Sequence, residues 1–317
     1  MLIRVARTAA AVLEHRFQVG ETAVEVDPST SVTVALVDAN GVPVTSGAAT
    51  AEGNAYSFPL PPQAQLTELT ATWTGTIDGN AVVEVDQVEI VGAHYWSIAE
   101  ARASDATLAN AQKYPAADLL ATRVEVEQEC ERICGRAFVP RYRRAVLDGT
   151  GTTELLLPDP DVRRIRAVRL APRVDRPFVA LTEAQLAALV ERGDRVLRRV
   201  DGSVWTEGYA NVVVEYEHGM NAPPTDLLRA TKQRLRHRLN MQMSAIPDRA
   251  VSYSTEGGAT YRLSTPDAYS TGIPDIDAVY SGWSLRPSSD GNGQSGPASR
   301  SLNFDPQRHS LFHGGER

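Results

Sequence analysis

Few residues in this chain have the types and spacing that chemistry needs. Cys130 and Cys134 are the only cysteines. They stand four apart in VEVEQECERICGR, a spacing that brings both thiols to one face of a helix. Zinc asks for four ligands, and no CxxC or HxxxH pair offers the rest. Two thiols make no disulfide framework either, which fits a reducing compartment. The expectation is a pair of small apolar residues facing a core, with metal or redox use as the competing reading.

Other motifs dissolve on inspection. Gly291, Gly293 and Gly296 spell GxGxxG, but no strand precedes them and no helix follows, so nothing would hold a pyrophosphate. GxxxxGK[ST], HExxH and GxSxG are absent from the sequence. His15, His94, His218, His237, His309 and His313 are scattered. Asp159 and Asp161 in PDPD could ligate calcium, although a Pro/Asp loop is more often only a turn. The expectation is no catalytic residue, no cofactor, no metal and no enzymatic activity.

Charge narrows the classes further. The 317 residues carry a net charge of −7, with a pI near 5.5. A protein that grips nucleic acid by its phosphates needs a basic face, so tight DNA binding is disfavoured, while passage of DNA past the protein is compatible with the charge. Residues 1–97 hold three arginines against eleven Asp and Glu, so the net acidity of the chain lies there. The first twenty residues begin like a signal peptide, but His15 and Arg16 interrupt the apolar run and no cleavage site follows. No apolar run approaches a membrane span. A protein made in a cytoplasm is expected.

The elements that would position any site read in three blocks. Residues 1–95 alternate short β-branched runs with turn signals such as Asp38-Ala39-Asn40-Gly41 and Asp78-Gly79-Asn80, the pattern of an all-β sandwich. In LTATWTGTI, alternation puts Leu69, Ala71, Trp73 and Gly75 on one face, with Trp73 as a core anchor. From 96 to 264 the composition is that of helices around a β insert at about 141–218. Ser97 and Glu100 form a capping box, Pro115 opens a second helix and Gly135 closes it. Glu125, Glu127, Glu129 and Glu131 then fall on its solvated or subunit-facing side. Within the insert, Asp148-Gly149-Thr150-Gly151 and Asp201-Gly202 signal hairpins, 182–192 a short helix, and the whole a small β meander. The last long helix starts at Pro223-Pro224-Thr225. Leu228, Thr231, Leu235, Leu239 and Met243 line one side, and Arg229, Lys232, Arg234, Arg236 and Arg238 crowd the rest. That basic face is either solvated or paired with carboxylates of a neighbouring subunit; a grip on DNA is the weaker reading. Residues 265–317 form an arm and tail. A loose hairpin at 251–267 precedes Ile276, Val279, Tyr280 and Trp283, which follow helical spacing in a helix too short to stand alone. It must dock on its own chain or in a groove of another protein. Beyond Arg286 the composition is that of a disordered linker.

The order of segments GRAFVPRYRRAVLDGTGTTELLLP, VRRIRAVRL, DGSVW, NVVVEYEHGMNAPPTDLLRATKQRL and STEGGATYRLSTPDAYSTGIPDIDAVYSGW resembles head-to-tail adaptor (connector) proteins of tailed phages, particularly of actinobacterial hosts. The resemblance covers roughly 97–285; residues 1–95 look like an added immunoglobulin-like domain, on fold analogy alone. The fold class implied is α+β: an N-terminal all-β immunoglobulin-like sandwich, a helical adaptor core with a β-meander insert, and an extended C-terminal arm. The function implied is a structural virion protein at the neck. It would form a homo-oligomeric ring, commonly of about twelve subunits, between the portal protein and a stopper or tail protein. Genomic DNA would traverse its lumen without sequence-specific binding. Carried over by position, Phe138, Pro140 and Arg141 would fix the β block. Ile273, Pro274, Ile276, Val279, Tyr280 and Trp283 would form the portal-docking arm. Glu125, Glu127, Glu129, Arg229, Arg234, Arg236 and Arg238 are the inter-subunit candidates. Competing expectations are a stopper or tail-terminator, and a host-surface-binding module in which the sandwich, with Trp73 and Tyr56, takes a glycan. A hydrolase stands as the least supported.

Overall fold

The computed structural model describes residues 2–19, 22–23, 26–27, 31–171, 176–192, 195–241, 252–254, 260–262 and 269–285. The chain is α+β, with β-sheets first and helices later. Met243, the GxGxxG glycines, His309, His313 and the linker beyond Arg286 lie outside the described residues.

Among the described residues, ten strands build the N-terminal part: β1 Leu2–Ala6, β2 Ala11–His15, β3 Gln18–Val19, β4 Thr22–Ala23, β5 Thr33–Asp38, β6 Pro43–Ala48, β7 Thr50–Glu52, β8 Ala55–Leu60, β9 Thr67–Ile77 and β10 Asn80–Val91. A five-stranded sheet runs β1-β10-β9-β5-β6 and a three-stranded sheet runs β2-β8-β7, with β3 and β4 as a separate pair. The strand β1 is parallel to β10; the other pairs are antiparallel. The two larger sheets share one core, in which Val34, Leu36, Ala71, Trp73 and Ile90 meet Leu13, Tyr56, Phe58 and Leu60. Leu69, Ala71, Trp73 and Gly75 all turn inward, and Trp73 is wholly enclosed. Asp78 and Gly79 both adopt positive φ, 51° and 77°, the conformation a two-residue turn needs to match strand twist.

Two helices follow. The first, α1 (Ile98–Ser104), has the capping box: the Glu100 N–H donates to Ser97 Oγ, and the Ser97 N–H to Glu100 Oε2. The second, α2 (Ala116–Cys134), ends on Gly135 at φ 70°, whose N–H reaches the Glu131 carbonyl.

The β insert contains β11 (Arg141–Gly149), β12 (Glu154–Leu156), β13 (Val162–Leu170), β14 (Val179–Ala180), α3 (Glu183–Ala187), β15 (Leu189–Glu191), β16 (Val196–Arg199) and β17 (Gly208–His218). They form two sheets, β11-β17-β13-β14 and β12-β16-β15. The order is less local than a run of hairpins. The strand β11 pairs with β17 instead of turning back onto β12. Gly149 is the pivot: its N–H is taken by Asn211 Oδ1, and its backbone lies against the Thr206 carbonyl with no room for a side chain. After Gly202, residues 203–207 form no strand; the Trp205 N–H donates to the Thr152 carbonyl. The expected helix over 182–192 stops at Ala187, because Leu189–Glu191 finds β16 as a partner.

The remaining elements are α4 (Thr225–Met241), a hairpin of β18 (Ser252–Ser254) and β19 (Thr260–Arg262), and α5 (Pro274–Trp283). Helices α2, α4 and α5 enclose a second core of Leu119, Val126, Cys130, Leu235, Leu239 and Tyr280, among others. A third core lies inside the β insert around Trp205, Val212 and Tyr216. No helix among the described residues is long and apolar enough to cross a membrane.

Candidate interaction site

The acidic residues of α2 face three different partners. Glu127 and Glu131 point at the β-sandwich and the β insert. Arg4 of β1 donates from Nε to Glu89 of β10 at 2.9 Å, from Nη1 to Glu127 at 3.2 Å and from Nη2 to Glu131 at 2.6 Å. Arg141 of β11 reaches Glu131 at 2.6 Å and Glu89 at 3.2 Å. The Tyr95 N–H donates to Glu127 at 3.0 Å and its hydroxyl to Glu131 at 3.1 Å. Burial works against the charge of both arginines, but the surrounding carboxylates prevail and raise their pKa values. Burial likewise pushes the Glu127 carboxyl up, yet His94, the Tyr95 N–H and Arg4 hold it below its ordinary range. Two arginines and three glutamates from four elements thus form one buried ionic joint. Next to it, the Gly92 N–H donates to the Pro140 carbonyl at 2.8 Å, and the Pro140 ring fills the space where a Gly92 side chain would start.

Glu125 and Glu129 point the other way, toward α4. Arg234 grips Glu129 with two hydrogen bonds, 2.7 Å from Nε and 2.8 Å from Nη2. Arg238 spans Glu125 at 2.9 Å and Glu129 at 3.0 Å. Burial raises the Glu129 carboxyl, but the two arginines win and its pKa is lowered. These groups were expected to look outward to a neighbour. Glu127, Glu129 and Arg234 are instead buried inside one chain, because an ionised group leaves water only where a counter-charge receives it. Arg229 and Arg236 remain exposed on α4, with Arg236 touching Asp105 at 3.2 Å.

The helix α5 has a seat on its own chain. Ile276 and Tyr280 are buried against α2 and α4. The Trp283 indole N–H donates to Asp226 at 3.0 Å, and its ring meets Phe138 edge-on with centroids 6.4 Å apart. Asp277 accepts the Thr271 N–H and hydroxyl, both at 2.7 Å, and so ties down the approach to the helix. The outer side is divided: Pro274, Ala278 and Ser281 are exposed, while Ile273, Val279 and Trp283 are half-buried. Of the two docking modes expected for this helix, its own chain supplies one: Ile276 and Tyr280 join the core of α2 and α4.

The other candidates have structural employment. Cys130 and Cys134 are fully buried, and burial drives the Cys130 thiol well above its ordinary range. Asp159 accepts from Tyr216 at 2.5 Å and Arg143 at 2.9 Å. Asp161 takes a two-pronged Arg136. His15 stacks on Trp73 and bonds Asp86 at 2.7 Å inside the sandwich. Among the described residues, no group of His, Cys, Asp and Glu is arranged to hold a metal ion. Two of the arginines of β13 face carboxylates of β17: Arg166 pairs with Glu217 and Arg169 with Glu215. Arg166 also donates to the Leu66 carbonyl at 2.5 Å, a further tie to the sandwich. The roles of Arg4, Glu89 and Arg141 in the joint left no local signal in the sequence, since they lie on separate strands.

No family model matches the chain, and no curated protein does. Among solved structures, a chain in the neck of an empty gene transfer agent (GTA) particle is similar, with 13% identity and a TM-score of 0.40 over 63% of this chain and 94% of that one. A chain in the virion of a native GTA particle gives 14% identity and a TM-score of 0.40 over 62% and 92%.

Proposed function

We propose that this chain is a structural protein of a virion neck, a head-to-tail adaptor whose copies form a dodecameric ring between the portal and a stopper or tail protein. In this reading the lumen of the ring continues the DNA channel, and the protein performs no catalysis and binds no cofactor. The N-terminal part is an immunoglobulin-like module, residues 1–95, borne by an adaptor core at 96–264 and followed by the arm at 265–317.

One observation carries the reading: the buried joint of Arg4, Glu89, Glu127, Glu131 and Arg141. It welds the sandwich, the helical core and the β insert to one another through groups whose separation would strand charges out of water. Such a construction suits a part that must hold its shape while DNA moves past. Under this reading the outward side of α5, with Pro274, Ala278 and the half-buried Val279, is the portal-docking surface, while Ile276, Tyr280 and Trp283 hold the helix in place.

The test uses the full chain and the portal protein encoded with it. Co-sedimentation of the two is expected, and Val279→Asp is expected to abolish it with the far-UV circular dichroism unchanged. Undiminished portal binding by Val279→Asp counts against the arm. Class averages of particles showing no ring of this protein under the portal count against the adaptor reading as a whole.

A further inference from the structure

Three sides of α2 are occupied by its own chain. Leu119, Val126 and Cys130 enter the core, Glu127 and Glu131 enter the buried joint, and Glu129 meets Arg234 of α4. A fourth side is open to solvent. Ala117, Leu120, Ala121 and Val124 follow i, i+3, i+4, i+7 along it. The first three are exposed, Leu120 by 43%, and Val124 is half-buried. Two exposed carboxylates, Asp118 and Glu125, border this uncharged strip. Glu125 keeps 54% of its side chain in solvent beside Arg238.

Helix α4 offers the opposite charge on the side turned away from α2. Arg229 and Arg236 are exposed there and Lys232 is half-buried. Arg236 keeps 50% of its side chain in solvent while touching Asp105. These residues form a ridge between two clefts of about 350 and 370 Å³, one against Ser104 and Asp105, the other against Ile273 and Asp275 of the α5 end. The two helices match in spacing. Asp118 and Glu125 are seven residues apart, as are Arg229 and Arg236, and seven residues of helix rise about 10.5 Å and return almost to the same side. Between the carboxylates the small Ala121 leaves room for Lys232 and Gln233. Asp105, Asp226 and Asp275 stand around the ridge. They would repel a duplex with one negative charge per about 1.7 Å, whereas two carboxylates on an uncharged strip ask only for two arginines.

We propose that the open side of α2 in one copy packs on the α4 ridge of the next copy, with Asp118 and Glu125 opposite Arg229 and Arg236. This deepens the reading of the chain as a ring subunit and rests on it. The two surfaces differ, so the contact is head-to-tail and propagates around a closed ring. The aliphatic stems of the basic residues cover Leu120 and Val124. Exposed charge pairs set register more than strength, and repetition around the ring multiplies a modest contact.

The test reverses charge on each side of the contact in the full chain. Asp118→Arg with Glu125→Arg, and separately Arg229→Glu with Arg236→Glu, are each expected to abolish the ring. Sedimentation velocity of the concentrated protein, alone and with the portal protein encoded with it, reads the loss; far-UV circular dichroism should stay unchanged. All four substitutions in one chain place opposite charges at every boundary again and are expected to restore the ring. That recovery separates a contact between copies from damage within one. A ring that survives either reversal, or is not recovered by the fourfold variant, overturns the proposal while leaving the ring reading intact. Survival of the ring with Arg229→Glu and Arg236→Glu, but with loss of DNA retention by particles, assigns the ridge to phosphates and overturns it too. Where a reversal unfolds the chain, copies carrying Ala121→Cys are mixed with copies carrying Gln233→Cys. A disulfide between the two kinds of copy supports the contact, and its absence from assembled rings overturns it. If the parental chain remains monomeric both alone at high concentration and in isolated particles, the ring reading fails, and this proposal with it.

Discussion

The Arg234 guanidinium and the Glu129 carboxylate lie in two-pronged contact at 2.7 and 2.8 Å, both side chains almost wholly removed from solvent. They are 105 residues apart in sequence. They clamp α4 to α2 above the core that contains Cys130 and Tyr280. The contact converts charges that had the appearance of an outward face into an internal brace.

Breaking that brace from one side strands the other charge. Arg234→Met is expected to lower unfolding free energy by about 3–5 kcal/mol. The double variant Arg234→Met with Glu129→Leu is expected to recover most of it. Urea unfolding of the four species of the cycle measures both effects, and additive losses would show that the pair is not coupled.

Acid is expected to weaken the fold in two stages. His218 has its pKa lowered by burial, so the unfolded chain takes up that proton first and stability starts to fall as pH drops below the ordinary value of 6.5. Glu127 and Glu129 are held below their ordinary value of 4.5, so their contribution is complete above 4.5 and is lost as pH falls through the folded-state values. Urea midpoints measured from about pH 8 to pH 3 should decline through both windows, and His218→Gln should shrink the upper decline, leaving the part due to His237, whose pKa burial also lowers.

Gly149→Ala is expected to unseat the β insert. A side-chain carbon there would lie 1.7 Å from the Thr206 carbonyl oxygen, a backbone atom that cannot rotate away. The loss should be at least about 3 kcal/mol, at the upper end of the usual cost of overpacking. Thermal unfolding followed by tryptophan fluorescence would register it, since Trp205 lies in that core. A variant of parental stability would show that β11 can shift away from Thr206.

The two thiols should be silent in the folded chain. Both are buried, and the raised Cys130 pKa removes the reactive thiolate at neutral pH. Labelling with an aromatic disulfide reagent should proceed only as fast as the protein unfolds, and should become rapid in denaturant. Prompt labelling of the native protein, or stoichiometric zinc uptake, would restore the metal or redox reading.

Tyr280→Ala is expected to loosen α5 from its bed. The side chain is wholly enclosed between α2 and α4, and truncating an aromatic residue there should cost about 3–5 kcal/mol. Hydrogen exchange would show the amides of 274–283 losing protection. If their protection stays at the parental level, the helix is held by contacts other than Tyr280.

Some of this architecture is written locally. Alternation along TATWTGT turns Trp73 inward because side chains on a strand switch faces at every residue. Ser97 with Glu100 starts a helix, and Gly135 stops one, because those side chains or their absence satisfy the helix ends directly. The apolar stripe through Val126, Cys130 and Ile133 likewise needed only helical spacing. Each signal involves residues within a few positions of one another.

The fate of the charges was decided elsewhere. Glu127, Glu129 and Arg234 occupy polar positions by type, and local periodicity assigns such residues to water. Their burial depends on Arg4 reaching Glu127 from a distant strand and on Arg234 and Glu129 meeting across two helices, and only the assembled chain brings those counter-charges within 3.2 Å. The same holds for β11, which passes over its near neighbour β12 to pair with β17, and for α5, whose bed is built by α2 and α4. Strand and helix identity is a short-range property of side-chain sterics and hydrogen bonding. Which charged face is covered depends on long-range electrostatic partnership, and that is settled only in three dimensions.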